Sequence, residues 1–123
     1  MAIKESGEMY LEAIYVLSKK INGVHAIDVG EYLGFSKPSV SRAMSILKKK
    51  GYVVVDGESH VNLTETGYSL AEKIFNRHVL IKNFLLSIGV SEDVAETDAC
   101  KIEHVLSDET FTALQNHLQK IKR

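Results

Sequence analysis

The helical spacing of apolar residues along this chain breaks once, and the break decides what the chain can fold into. Tyr52-Val-Val-Val-Asp56 is a β-branched run, Asp56-Gly57 is a turn signal, and His60-Val-Asn-Leu-Thr64 alternates, which predicts a β-hairpin. Everything else reads as helix. A first helix from about Gly7 to Ile21 carries Leu11, Ile14, Tyr15 and Leu17 and stops at Asn22-Gly23. A short second one, about Ala26 to Leu33, has apolar Ala26, Val29, Tyr32 and Leu33. After the Gly34-Phe35-Ser36 break, Ser36 caps a third helix, with Pro38 in its first turn, where a missing N–H costs nothing. This helix turns Val40, Met44 and Leu47 inward and runs to about Lys50, where Gly51 closes it. Beyond the hairpin, helical spacing resumes after Thr66-Gly67 with Leu70, Ile74, Ile81, Leu85 and Ile88, up to Gly89. Ser91 caps a fifth helix, with Glu92 and Asp93 favourable in its first turn. Ser107-Asp-Glu caps a sixth with the stripe Phe111, Leu114, Leu118 and Ile121.

Two short helices around a Gly-containing turn make a helix-turn-helix, and a hairpin after the second makes it winged. The expected fold is therefore mainly α. A winged helix-turn-helix of three helices and a β-hairpin occupies 1–66, and a helical domain occupies 67–123. At 123 residues, 45% apolar and 25% charged, the chain has the profile of an ordinary globular protein. No run of 18 apolar residues predicts a membrane span, and MAIKESGEMY has no apolar signal core, so a cytoplasmic location is expected. One cysteine, Cys100, excludes a disulfide framework and is expected to be reduced there.

The net charge of −1 averages two opposite segments. Lys37 to Val55 holds five basic residues and no acidic one; Ser91 to Glu109 holds seven acidic residues against Lys101 alone. The first suits a polyanion and the second a cation. The third helix would present Lys37, Ser39, Ser41 and Arg42 to DNA. Arg42 can donate two hydrogen bonds to a guanine edge, and the serines can reach bases or phosphates. Lys48, Lys49 and Lys50 would hold phosphates without reading sequence. By itself a lysine triplet ending a helix is a solvated terminus that complements the helix dipole. In this order of elements, double-stranded DNA is the better account.

In the acidic segment, Cys100, Glu103 and His104 stand at i, i+3 and i+4 and share one helical face, extended one turn earlier by Glu96. Ala95, Ala99, Ile102 and Leu106 form the opposite, core-facing stripe. Sulfur, carboxylate and imidazole on one patch suit a first-row transition metal. Taken alone, a free cysteine is more often a small buried hydrophobe. Met9 and Glu12 at i, i+3 on the first helix, and His78 inside the apolar stripe of the fourth, are further candidates. Each has a bland reading as core filler, solvated charge or satisfied imidazole. His25, His60 and His117 receive no role.

Glu8-Met-Tyr-Leu-Glu-Ala-Ile-Tyr15, Leu63-Thr-Glu-Thr-Gly67 and Ala99-Cys-Lys-Ile-Glu-His-Val-Leu-Ser-Asp-Glu109 resemble the metal-dependent repressors of the diphtheria toxin repressor and manganese transport regulator family, from about Ser6 to Leu118. The resemblance implies a homodimer with an N-terminal winged helix and a helical metal-binding and dimerisation domain. The SH3-like domain of the iron branch is not expected in a chain of this length. It also implies that Met9, Cys100, Glu103 and His104 occupy the iron branch's principal metal site. Glu12 and His78 match ligand types of the manganese branch, which has carboxylates at the positions of Met9 and Cys100. Lys82 and Glu96 stand where the iron branch's ancillary site has a glutamate and a histidine, so a full site of that kind is not expected. His78 with Glu12 or Glu96 forms a different second site or none.

The sulfur ligands point to Fe(II), with Mn(II) as the other candidate. The expected function is metal-dependent binding of a palindromic operator by a homodimer, repressing metal-uptake genes. Metal shared between the halves would fix the recognition helices about 34 Å apart. No phosphate loop, nucleophile motif or His-Glu-x-x-His suggests an enzyme, and no small organic substrate is expected. The competing reading is a metal-independent winged-helix regulator in which Cys100 is a redox sensor or a core residue.

Overall fold

The structure is a computed structural model and describes residues 5–121. Its order is α1 (Glu5–Ser18), α2 (Ala26–Leu33), α3 (Lys37–Lys49), β1 (Val53–Val55), β2 (Val61–Leu63), α4 (Glu65–Ser87), α5 (Glu92–Ile102) and α6 (Asp108–Ile121). The expected mainly α fold with a hairpin after the third helix is present. The chain forms two compact units that divide inside α4, after Lys73.

In the first unit, Tyr10, Leu11, Ile14 and Tyr15 repeat at helical spacing and bury one face of α1. The helix stops at Ser18, earlier than its apolar spacing suggests, and Ser18 Oγ donates back to the Tyr15 carbonyl at 2.8 Å. The His25 N–H, at the head of α2, donates to Asp28 Oδ2 at 2.8 Å. Gly34 ends α2 in the left-handed conformation (φ 74°), its N–H returning to the Gly30 carbonyl. That turn delivers Ser36, which caps α3 through the Ser39 N–H. Val40, Met44 and Leu47 are buried, as their spacing predicts. Of the apolar residues of α2, Val29 is buried, whereas Tyr32 is half exposed.

The hairpin pairs Val53 with Leu63, Val54 with Asn62 and Val55 with Val61. Its strands are shorter than the expected Tyr52–Asp56 and His60–Thr64, because the chain on either side is committed elsewhere. Asp56 Oδ1 takes the Glu58 and His60 N–H groups to build the turn. Thr64 turns back on Tyr52 and caps α4, its hydroxyl accepting the Gly67 N–H at 3.0 Å. Gly67 therefore lies within the first turn of α4 rather than ahead of it. A β-carbon there would sit 1.9 Å from the Tyr52 carbonyl oxygen, so only glycine lets the helix start against the base of the hairpin.

The second unit joins the rest of α4 to α5 and α6. Gly89 (φ 99°) closes α4, and Ser107 caps α6 through the Thr110 N–H. Among the described residues its buried apolar side chains are few: Ile74, Ile81, Ala95 and Ala99. Phe111, Leu114 and Leu118 are only half buried, and the side chain of Ile121 lies outside the described residues. One correction concerns α5. The stripe Ala95–Ala99–Ile102–Leu106 implies helix to Leu106, yet the helix ends at Ile102 and Glu103 is its C-terminal cap. The following turn tightens into i→i+3 bonds, Val105 N–H to the Ile102 carbonyl among them.

Replacing Gly67 by Ala is expected to cost about 3 kcal/mol, the upper end for overpacking, in a denaturant melt. Gly57→Ala, where an added β-carbon meets nothing within 4 Å, is the control.

Candidate functional site

The DNA-facing candidates lie along α3 and at its C-terminal cap. Lys37, Ser41, Arg42, Lys48, Lys49 and Lys50 are exposed, while Val40, Met44 and Leu47 are buried. Ser39 is the exception. It is half buried, with its hydroxyl 3.0 Å from that of Ser36, so it belongs to the cap of the helix. The hairpin is held to the segment before α2 by the Val61 N–H, 2.7 Å from the Val24 carbonyl. His25 and His60, which the sequence reading left without a role, meet edge to face with ring centroids 4.8 Å apart. His60 is oriented by Asp56, whose Oδ2 lies 3.1 Å from Nδ1.

In the second unit, ligand-capable atoms of Cys100, Glu103 and His104 lie within 4.8 Å of one another. They converge because helical backbone angles persist through the cap residue, with Glu103 N–H still bonded to the Ala99 carbonyl. Cys100 is half buried with a free thiol, and the Glu103 and His104 side chains are fully buried. Among the described residues Glu103 Oε2 has no hydrogen-bond partner. A carboxylate oxygen stripped of water and left unmatched costs about 1–3 kcal/mol, and a bound cation removes that cost. The donor set of sulfur, oxygen and nitrogen fits a transition metal.

Three side chains of α4 support this centre. His78 places Nδ1 3.1 Å from Glu103 Oε1 and Nε2 2.7 Å from Glu96 Oε2. Its pKa is pushed up to about 9 by the bond to Glu103, against the opposing effect of burial and helped by the charges of Glu103 and Glu96. Glu96 is not part of the Cys100 trio; its oxygens are taken by His78 and by Lys82 Nζ at 3.0 Å. Burial works against the Glu96 charge, but bonds from Lys82 and His78 outweigh it and hold its pKa below the ordinary carboxylate value. Arg77 donates to the Leu106 carbonyl at 2.7 Å, pairs with Asp108, and lies over the Phe111 ring. It thereby ties the turn after Glu103 to the start of α6. The sequence reading missed Arg77. The available signal was two cationic residues, 77 and 78, three and four places after buried Ile74 on one helical stripe. Met9 and Glu12 are half-buried residues of α1, in the first unit.

Two family models match the chain. The iron dependent repressor N-terminal DNA binding domain covers residues 2–61, and the iron dependent repressor metal binding and dimerisation domain covers residues 64–123. The chain belongs to the iron-dependent repressor family. Members of this family are metal-dependent, DNA-binding transcriptional regulators rather than enzymes. An uncharacterized HTH-type transcriptional regulator of Methanocaldococcus jannaschii is 34% identical over 98% of each chain. The transcriptional regulator MntR of Escherichia coli is 34% identical over 90% of this chain and 72% of its own. The diphtheria toxin repressor of Corynebacterium diphtheriae is 32% identical over 97% of this chain, which spans 53% of that protein. Among solved structures, the manganese regulator SloR superposes with a TM-score of 0.83 at 28% identity, over 97% of this chain and 55% of its own. No described helix is long and apolar enough to cross a membrane.

The His78 shift has a testable sign. Its folded pKa lies above the ordinary 6.5, so in metal-free protein its contribution to stability is full below about pH 6.5 and is lost as pH rises through about 9. Denaturant melts from pH 6 to 10 should show this decline in the metal-free wild type, and a flatter profile in His78→Gln.

Proposed function

We propose that this chain is a metal-gated repressor that binds a palindromic operator as a homodimer when Fe(II) is bound, with Mn(II) as the alternative ion and metal-uptake genes as its targets. The observation that carries the reading is the convergence of Cys100, Glu103 and His104 within 4.8 Å, with one buried Glu103 oxygen unmatched. Cys100, Glu103 and His104 would hold the ion, and Met9 and Glu12 are proposed as additional ligands on the resemblance alone. When bound, the ion supplies the divalent charge and the bonds that hold its ligands at one spacing. A thiolate among the ligands favours Fe(II), since Mn(II) prefers oxygen and imidazole. Cys100 must lose its proton to bind, so acid or oxidation should weaken the site. His78 meanwhile fixes which way the Glu103 carboxylate points, and Arg77 anchors the turn that follows it.

On the DNA side, Arg42 would read a base edge while Lys37, Ser41, Lys48, Lys49 and Lys50 engage phosphates. Their exposure along α3 and at its cap supports this division. Ser39, drawn into the cap, would contribute least. Domains divided at residues 66 and 67 remain our proposed functional boundary.

The decisive experiment is anaerobic capture of fragmented genomic DNA by metal-stripped protein, with Fe(II), with Mn(II) or with neither. Metal-dependent enrichment of a few palindromic fragments is expected. Equal capture without metal would sink the reading and leave a metal-independent or thiol-sensing regulator in its place. Cys100→Asp should shift the preference toward Mn(II), and Met9→Ala should weaken metal-dependent binding; full affinity in the latter would remove Met9 from the ligand set.

With the captured fragment in hand, Arg42→Ala is expected to cost about 1–3 kcal/mol and to relax selection at one base pair. Changing Lys48, Lys49 and Lys50 together to Ala should weaken all sequences alike and lower the salt-dependence slope by about 3.

A further inference from the structure

The flank of α3 that turns toward α1 shows more apolar surface than phosphate contact can use. Ile46 of α3 is 53% exposed. Phe35, just ahead of α3, is 38% exposed, and its ring centroid lies 5.6 Å from that of buried Tyr10 on α1. With Leu47 these side chains line a groove of about 610 Å³ between α1 and α3, wholly within the first unit. Small-molecule sites commonly enclose about 300–1,000 Å³.

The charge of the groove is one-sided. Arg42 and Lys50, two helical turns apart on α3, both line it, and among the described residues no carboxylate does. Burial raises the Tyr10 phenol above its ordinary value and the Arg42 charge opposes that rise, so the guanidinium is felt across the groove on α1. Hydrated phosphates gain nothing from an apolar floor, and a wholly apolar ligand would leave both cations unmatched. A flat apolar body ending in a carboxylate answers both features. The body can lie against Tyr10, Phe35 and Ile46, and the carboxylate can take two parallel hydrogen bonds from the Arg42 fork.

We propose that the α1–α3 groove is an effector site for an aromatic carboxylate, whose binding draws Arg42 away from DNA. Arg42 is the side chain assigned above to a base edge, so ligand and operator compete for one guanidinium. The site itself needs no metal and stands apart from the metal-gated reading. Only its effect on DNA rests on that reading.

Metal-stripped, isotope-labelled full-length protein is titrated with naphthoate and followed by amide NMR. Naphthalenemethanol, with the same body and no charge, is titrated in parallel. Saturable shifts are expected at Phe35, Arg42 and Ile46, with the acid bound about tenfold tighter than the alcohol, as one charge-assisted hydrogen bond provides. Ile46→Gln, a polar change at an exposed position, should weaken both ligands, and Arg42→Gln the acid alone; circular dichroism checks each fold. Equal affinity for acid and alcohol, shifts confined to other elements, or no saturation at millimolar ligand overturns the site. Shifts at these residues that follow protein concentration instead of naphthoate put a second copy in the groove and also overturn it. In the genomic capture with metal present, naphthoate should lower recovery by wild type and not by Ile46→Gln. Saturable binding with no loss of capture overturns the competition for Arg42. If metal yields no capture at all, the proposed function falls, while the naphthoate shifts still uphold the site.

Discussion

The second unit is organised around a buried negative charge. Glu103 is 2% exposed and is flanked on its own helix by Ala99, which offers volume but no polarity. A carboxylate so far from water must meet positive charge or hydrogen-bond donors, or fold elsewhere. His78 meets one of its oxygens, and the other has no hydrogen-bond partner among the described residues. Three side chains of α4 serve this arrangement. His78 aims the carboxylate, Lys82 steadies Glu96 behind His78, and Arg77 pins the turn that carries the Glu103 carbonyl. With so few apolar residues buried in this unit, charge pairing carries an unusual share of its specificity.

The first unit rests on a different constraint, close backbone approach. Gly30 lets α2 and α3 pack so tightly that a β-carbon would lie 3.1 Å from the Val40 side chain, and Gly67 lets α4 begin against the Tyr52 carbonyl. These contacts set the rigid frame on which α3 presents its basic face. Within this frame the Ser39 hydroxyl oxygen accepts from the Ser36 hydroxyl at 3.0 Å, beside the cap that Ser36 makes to the Ser39 N–H.

Membership of the iron-dependent repressor family agrees with both halves of this description, since its two models name a DNA-binding domain and a metal-binding and dimerisation domain. The transcriptional regulator MntR and the diphtheria toxin repressor are similar to this chain at comparable identity. Under the proposed function, the choice of ion would turn on individual donors, Cys100 above all, rather than on overall likeness.

Much was legible in the sequence because periodicity and capping are local. The hairpin between helical segments, the inward Val40–Met44–Leu47 face, the caps at Ser36 and Ser107, and the i, i+3, i+4 spacing of Cys100, Glu103 and His104 all follow from short-range geometry. Tertiary structure decided what spacing cannot carry. Helix α5 stops at Ile102 because Glu103 and the turn after it are fastened to α4 through His78 and Arg77, residues about 25 positions away. Gly67 falls inside α4 because a carbonyl 15 positions earlier leaves no room for a side chain. Glu96 and Lys82 face each other across two helices, a pairing invisible in either helix alone. Sequence determined which donors exist and on which faces they lie, while packing of distant segments determined which charges meet, because Coulomb energy and steric overlap depend on distance in space and not along the chain.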